Sequence, residues 1–200
     1  MVLMNNTEQS RWFSSDTAFN KLYPGPIQQL SPLHWTPLLT ARRAAGFLNT
    51  GRNAKILDIG SGVGKFCLCA GYYTPRAHFF GVEQRRHLVD YAESAKKKLA
   101  LNNVTFLHNN ITDVNFNEFD HFYFFNSFYE NLAESTKIDN EVPHSKALFQ
   151  HYSSFLLRAL YERKSGTRLV TYHSLEYQIP PNYYLYWSDP NTLLKFWIKE

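Results

Sequence analysis

Gly60, Ser61, Gly62, Val63 and Gly64 interrupt a short apolar run over residues 56–59, and helix-compatible residues resume at Lys65. Glycines relieve crowding at a sharp strand-to-helix turn and let a bound group approach the backbone, while the helix start beyond offers unpaired amides. The pattern predicts a site for a nucleotide-like ligand. Its spacing lacks the G-x-G-x-x-G of a dinucleotide fingerprint, which counts against a dehydrogenase. It also lacks the G-K-[ST] of a P-loop, since Phe66 follows Lys65. Glu83 lies 19 residues beyond Gly64 and ends a second strand-like run over 77–83. There its carboxylate can accept both hydrogen bonds of a ribose diol, the alternative being a surface ion pair. Cys67 and Cys69, the only two cysteines, fit neither C-x-x-C nor a metal-ligand set, so free thiols and no metal centre are expected.

These residues need a scaffold that brings strand ends together. A chain of 200 residues, 44% hydrophobic and 16% aromatic, suits one packed domain. A net charge of +4 permits an anionic partner without requiring one. No apolar run approaches the ~20 residues of a membrane span and no secretory signal core opens the chain, so no membrane insertion and a cytoplasmic location are expected. Residues 1–20 read as a loosely docked lead-in. Prolines then punctuate 23–26 and 31–37, and Leu38, Leu39, Ala41, Ala44, Ala45 and Leu48 mark a helix. His34, Trp35 and Thr36 read either as a lid over the ligand mouth or as a segment in which Trp35 is a packing anchor. Leu88, Ala92, Ala95 and Leu99 mark a helix after the second strand. Further strands are expected over 103–107, 169–173 and 193–199, and the stretch 120–130 supplies a fourth strand and its polar terminus, with a helix leading toward Gly166 and a hairpin or lid over 174–189. Two strand-to-helix units in succession predict an open, doubly wound α/β domain with its ligand at the carboxyl ends of the strands.

The run L57-D-I-G-S-G-V-G64, followed by G81-V-E83, resembles the first two cofactor motifs of class I S-adenosylmethionine-dependent methyltransferases. The resemblance covers residues 54–200. It implies a Rossmann-like, predominantly parallel seven-stranded sheet with an antiparallel final strand, preceded by a lead-in and candidate substrate lid over 1–53. It also implies S-adenosyl-L-methionine as cofactor. By that resemblance Gly60, Ser61, Gly62 and Gly64 form the loop crossed by its methionine and ribose portion. Asp58 orients that loop or meets the methionine ammonium through water, and Glu83 holds the ribose hydroxyls. Asn110, through its side-chain carbonyl, and Ile111 complete the adenine pocket. Asp58 as a structural tie for loop amides is the alternative.

The segment after the fourth strand, Asn126-Ser-Phe-Tyr129, resembles the Asn/Asp-Pro-Pro-Tyr/Phe catalytic motif of amino-methylating relatives but lacks both prolines. A looser resemblance to class I histone-lysine methyltransferases points to a protein-lysine substrate, methylated by direct displacement. Asn126 would position the amine, and Phe128 and Tyr129 would line its channel. Core packing is the alternative for Phe128 and Tyr129. RNA or small-molecule methylation and a noncatalytic cofactor-binding scaffold stay open. His108 reads as a local loop residue, Glu130 as an exposed helix-start acid or else one that orients an incoming amine, the polar stretch 131–145 as part of the acceptor entrance, and Tyr172, His173 and Tyr177 as packing or peripheral polarity, the alternative being a substrate-facing edge.

Overall fold

The computed structural model describes residues 6–51, 53–132 and 137–200. Four short helices, α1 (Asn6–Trp12), α2 (Asp16–Asn20), α3 (Gly25–Gln28) and α4 (Ser31–His34), precede α5 (Leu38–Leu48). Strands and helices then alternate: β1 (Lys55–Ile59), α6 (Lys65–Tyr73), β2 (His78–Glu83), α7 (Arg86–Lys98), β3 (Val104–His108), β4 (His121–Phe124), α8 (Lys146–Tyr161) and β5 (Arg168–Tyr172). A hairpin of β6 (Tyr183–Ser188) and β7 (Leu194–Lys199) closes the chain.

The seven strands form one sheet in the order β3-β2-β1-β4-β5-β7-β6. β1 to β5 run parallel, and β7 inserts antiparallel between β5 and β6, as expected for the final strand. The segment read as a hairpin or lid is thus a sheet hairpin. Asp189 shapes its turn, with Oδ1 accepting the backbone N–H of Leu193 at 2.8 Å and of Leu194 at 3.0 Å.

Alternation along β1 explains why both faces of the sheet are covered. Ile56 points into the layer formed by α5, α6 and α7, whereas Leu57 and Ile59 point into the layer formed with α8. All three are fully buried, so a central parallel strand reads as a continuous apolar run. Cys67 and Cys69 are free thiols within this core.

The segment before α5 is packed into the same layer through Phe19, Leu22, Tyr23 and Trp35. Trp35 meets the edge of Tyr23 at 4.9 Å between ring centroids, and the Tyr23 hydroxyl donates to the Val63 carbonyl at 2.9 Å. Residues 1–5 of the expected lead-in lie outside the described residues. Lys65, at the first turn of α6, is buried with 3% exposure. Its ammonium donates to Asp16 Oδ1 at 2.5 Å and Asn20 Oδ1 at 3.2 Å, both on α2, and lies over the rings of Phe19 and Trp35. Asp16 Oδ1 also accepts the Leu38 N–H at 3.0 Å, so one carboxylate joins α2, α5 and α6.

Asp16→Asn is therefore expected to destabilise the protein by about 1–3 kcal/mol, the cost of weakening the partner of a buried donor, read as a lower urea midpoint. Adding Lys65→Met should recover most of that loss by removing the buried charge.

Candidate functional site

The strand order reverses at β1, with β2 on one side and β4 on the other, and a crevice lies beyond the carboxyl ends of these strands. A cavity of about 560 Å³ occupies it. Asp58, Gly60, Ser61, Gly62, Glu83, Asn110, Ile111, Asn126, Phe128 and Tyr129 all line this cavity, although they come from four different strand exits. Gly64 does not line it. At φ +81° it precedes α6, and a Cβ there would lie 2.3 Å from the Phe106 ring, so its role is to turn the backbone into the helix.

Gly60 is constrained more directly. Its φ is +73°, and a Cβ would fall 2.4 Å from Cβ of Ser127 on the β4 exit. The Ser127 hydroxyl donates to the Ile59 carbonyl, closing the two exits on each other. Glu83 is buried at the end of β2, where Oε2 accepts the Gly62 N–H at 3.1 Å and Oε1 accepts the Arg85 N–H at 2.9 Å. Burial raises its proton affinity, and these two amides and the Arg85 guanidinium oppose that rise. The Ser61 hydroxyl is buried and finds no hydrogen-bond partner among the described residues.

Asp58 is 3% exposed, and among the described residues no Lys, Arg or His pairs with it. Burial pushes its carboxyl up to about 8, opposed by a hydrogen bond from Cys67 Sγ at 3.4 Å and reinforced by the charge of Glu83. Folded Asp58 thus binds its proton more tightly than the unfolded chain does. Its contribution to stability is full below about 4 and is lost as the pH rises through about 8.

At the β3 exit, Asn110 caps a 3₁₀ turn over Ile111–Asp113. Its Oδ1 accepts the Thr112 N–H at 3.1 Å and the Thr112 hydroxyl at 2.9 Å, and Nδ2 donates to the Tyr152 hydroxyl on α8 at 3.0 Å. The oxygen expected to meet an adenine amino group therefore already holds two local hydrogen bonds.

Asn126, just past β4, has φ +39°, a left-handed conformation unusual outside glycine. Its N–H donates to the Ser174 hydroxyl at 3.3 Å and its carbonyl accepts the Tyr129 N–H at 3.0 Å. Its side-chain oxygen is buried with no partner among the described residues. Phe128 is buried against Phe124 and Tyr152 at 5.1 and 5.5 Å between centroids, whereas Tyr129 is 39% exposed. Phe125, Tyr172 and His173 make an aromatic wall of the same cavity, with centroid separations of 4.7 Å for Phe125–Tyr172 and 4.4 Å for Tyr172–His173. Tyr172 and His173 thus face the cavity rather than serving as peripheral packing. Trp35 and Thr36 line it from the amino-terminal segment, so the anchor and the wall are one structure.

Glu130 corrects an expectation: it is 8% exposed and not a solvent-facing acid. Its two carboxylate oxygens accept from Arg85 Nη1 at 3.0 Å and Nη2 at 2.8 Å. Sequence reasoning missed Arg85, Ser127 and Tyr152. Arg85 carried the one local signal, its place two residues after Glu83. Of the stretch 131–145, Asn131 and Ile138 line the cavity, and residues 133–136 lie outside the described residues.

Residues 50–192 match the methyltransferase domain family. The chain belongs to this family. A curated tRNA (guanine-N(7)-)-methyltransferase of Synechococcus sp. (strain JA-3-3Ab) is 47% identical over 55 residues, 28% of this chain and 23% of that protein. The chain covers less than a quarter of the length of the curated relatives it matches. Among solved structures, an RNA methyltransferase from Salinibacter ruber, in complex with S-adenosyl-L-homocysteine, superposes with a TM-score of 0.58 at 18% identity, covering 82% of this chain and 93% of that one. The magnesium protoporphyrin IX methyltransferase of Synechocystis PCC 6803, with bound SAM, gives 0.58 at 12% identity over 100% of both chains. These likenesses establish the class I methyltransferase fold.

The cavity of this methyltransferase-domain chain suits a ligand of the S-adenosylmethionine class. A buried carboxylate without a cation, a buried unpaired hydroxyl and a second buried acid are complements to an ammonium and a diol. An ammonium near Asp58 favours its ionised form, so binding of S-adenosylhomocysteine below pH 8 should release a proton. Its affinity is expected to rise by up to about tenfold per pH unit below about 8 and then level off. Calorimetry across pH should show this slope in the native protein and a flat profile in Asp58→Asn; a flat native profile would exclude the linkage.

Proposed function

We propose that this chain transfers a methyl group from S-adenosylmethionine to an amine nitrogen, with a protein lysine side chain as the acceptor class. The observation that carries the reading is Asn126. It holds a strained backbone conformation and an unpaired side-chain oxygen at the β4 exit, beside the glycine turn of β1. Strain of this kind persists where the surroundings enforce it, and it collects at functional positions.

Glu83 takes the ribose hydroxyls, Asp58 and Ser61 face the methionine end, and Asn110 with Ile111 borders the adenine. When bound, the cofactor supplies an electrophilic methyl group on a sulfonium. The amide oxygen of Asn126 accepts an N–H of the neutral amine and turns the nitrogen lone pair into the cavity. Phe125, Tyr129 and Tyr172 flank the alkyl stem, and Trp35 and Thr36 exclude water from the other side. In the transfer that the cofactor would supply, the nitrogen lone pair would bond to the methyl carbon while the carbon–sulfur pair would stay with sulfur, and the methylated ammonium would lose its proton to solvent. Proximity and orientation supply most of the rate, with no acid–base relay among the named residues.

The charges support an amine over a polyanion. Among the described residues, the Lys and Arg side chains lining the cavity are Lys65 and Arg85, both buried and already paired with carboxylates, which leaves phosphate groups little to bind there. An RNA acceptor is the second reading, favoured by the local identity to the Synechococcus tRNA methyltransferase.

Labelled S-adenosylmethionine offered with protein, RNA and small-amine panels tests the reading. Methylation of lysine is expected. Transfer to RNA alone would replace the acceptor class, and cofactor binding without transfer to any panel would leave a scaffold. Asn126→Ala should lower kcat by about 10²-fold, the scale seen on removing one oriented polar group, while retaining S-adenosylhomocysteine binding. Unchanged turnover in that variant would exclude Asn126 from the reaction.

A further inference from the structure

Arg85 has no place in the chemistry above, yet it is 2% exposed and spends every face of its guanidinium. Nη1 and Nη2 grip both oxygens of Glu130 at 3.0 and 2.8 Å. Nε donates to Asp139 Oδ1 at 3.0 Å. Glu83 Oε1 lies 3.8 Å from Nη1 and accepts the backbone N–H of the same residue at 2.9 Å. His144 Nε2 lies 3.3 Å from Glu130, and His87 joins Asp139 at 3.5 Å and Glu141 at 3.0 Å. Burial opposes the charge on Arg85, but Glu130, Asp139 and Glu83 outweigh it and hold the guanidinium more firmly protonated than usual. One cation thus touches the carboxylate at the end of β2, the loop that follows Asn126, and the segment that leads into α8.

We infer that Arg85 is a positioning residue that couples the cofactor half of the cavity to its acceptor half. The inference rests on the reading of Glu83 as the ribose carboxylate. The loop over 126–132 begins with a strained residue and buries only Phe128 and Glu130, so it has few apolar contacts to hold it. Its best anchor is the bidentate pair to Arg85, a planar fork that lysine cannot reproduce. Hydroxyl donors arriving at Glu83 draw on the carboxylate that Arg85 otherwise shares with Glu130 and Asp139. The guanidinium then commits more fully to those two acids, and the loops they belong to tighten. The same coupling runs in reverse, because an effect of one site on another is reciprocal in binding free energy.

Hydrogen exchange of the full chain with and without S-adenosylhomocysteine tests this, read on peptides within 126–132 and 137–145. In the native protein the ligand is expected to slow exchange there by at least about fivefold, the lower end of typical coupling between sites. In Arg85→Lys, and in Glu130→Gln should the first variant fold poorly, the ligand should still bind. Its affinity should be weaker by the same factor and the protection lost. Binding to the native protein that leaves both peptides unprotected overturns the coupling alone, as does equal protection in the variants. Failure of the native protein to bind S-adenosylhomocysteine overturns the functional reading and the coupling with it.

Discussion

The cavity depends on one close approach, that of the β1 exit to the β4 exit. Parallel neighbours in a sheet stand close enough that side chains at their ends normally hold the following loops apart. Here the absence of a side chain at Gly60 lets Ser127 sit where a Cβ would be, and the Ser127 hydroxyl returns a hydrogen bond to the Ile59 carbonyl. The glycine turn after β1 and the loop that carries Asn126 therefore meet at Gly60 and Ser127. The left-handed backbone of Asn126 directly precedes this junction.

Around that junction, ion pairs with a buried cation fix the peripheral pieces. Lys65 with Asp16 spans 49 positions, Arg85 with Glu130 spans 45, and Arg85 with Asp139 spans 54. Such pairs add little net stability over apolar packing, but once one member is buried, separating them leaves an uncompensated charge in a poorly polarisable interior. They act as registry devices. In each, the cation belongs to the frame, at the start of α6 or just before α7, and the acid belongs to a segment that must be placed against it.

This division explains what could be read from the sequence. The strands, the glycine turn and the acid ending β2 are local patterns, set by alternation of apolar residues and by backbone freedom, and they lie within a residue or two of where they were expected. The tail was legible from its prolines as a hairpin or lid plus a final antiparallel strand that completes a seven-stranded sheet; that the segment before it supplies the edge strand β6 was not. Glu130 was not legible: an acid at the start of a turn reads as exposed unless its partner 45 positions away is known. The double acceptance at Asn110 Oδ1 was hidden for a different reason. An Asn that precedes Thr112 can serve either a ligand or its own backbone, and only coordinates show the second use.

The character of the acceptor half follows from what stands at position 126. For an amine acceptor, a carboxylate there would attract the protonated form, raise its proton affinity and hold it as an ammonium, which has no lone pair to give and is repelled by a sulfonium. A carboxamide oxygen orients an N–H without bringing that charge. Among the described residues lining the cavity, the acid without a cationic partner is Asp58, on β1 just before the glycine turn. On the proposed reading, the acid that an ammonium would ionise thus lies beside the glycine turn, whereas the residues proposed to meet the nucleophile, Asn126, Phe125, Tyr129 and Tyr172, are a carboxamide and aromatic rings. On the proposed amine reading, such a division would favour an acceptor that enters neutral and would leave the choice among acceptors to the shape of the wall formed by Phe125, Tyr129, Tyr172 and Trp35.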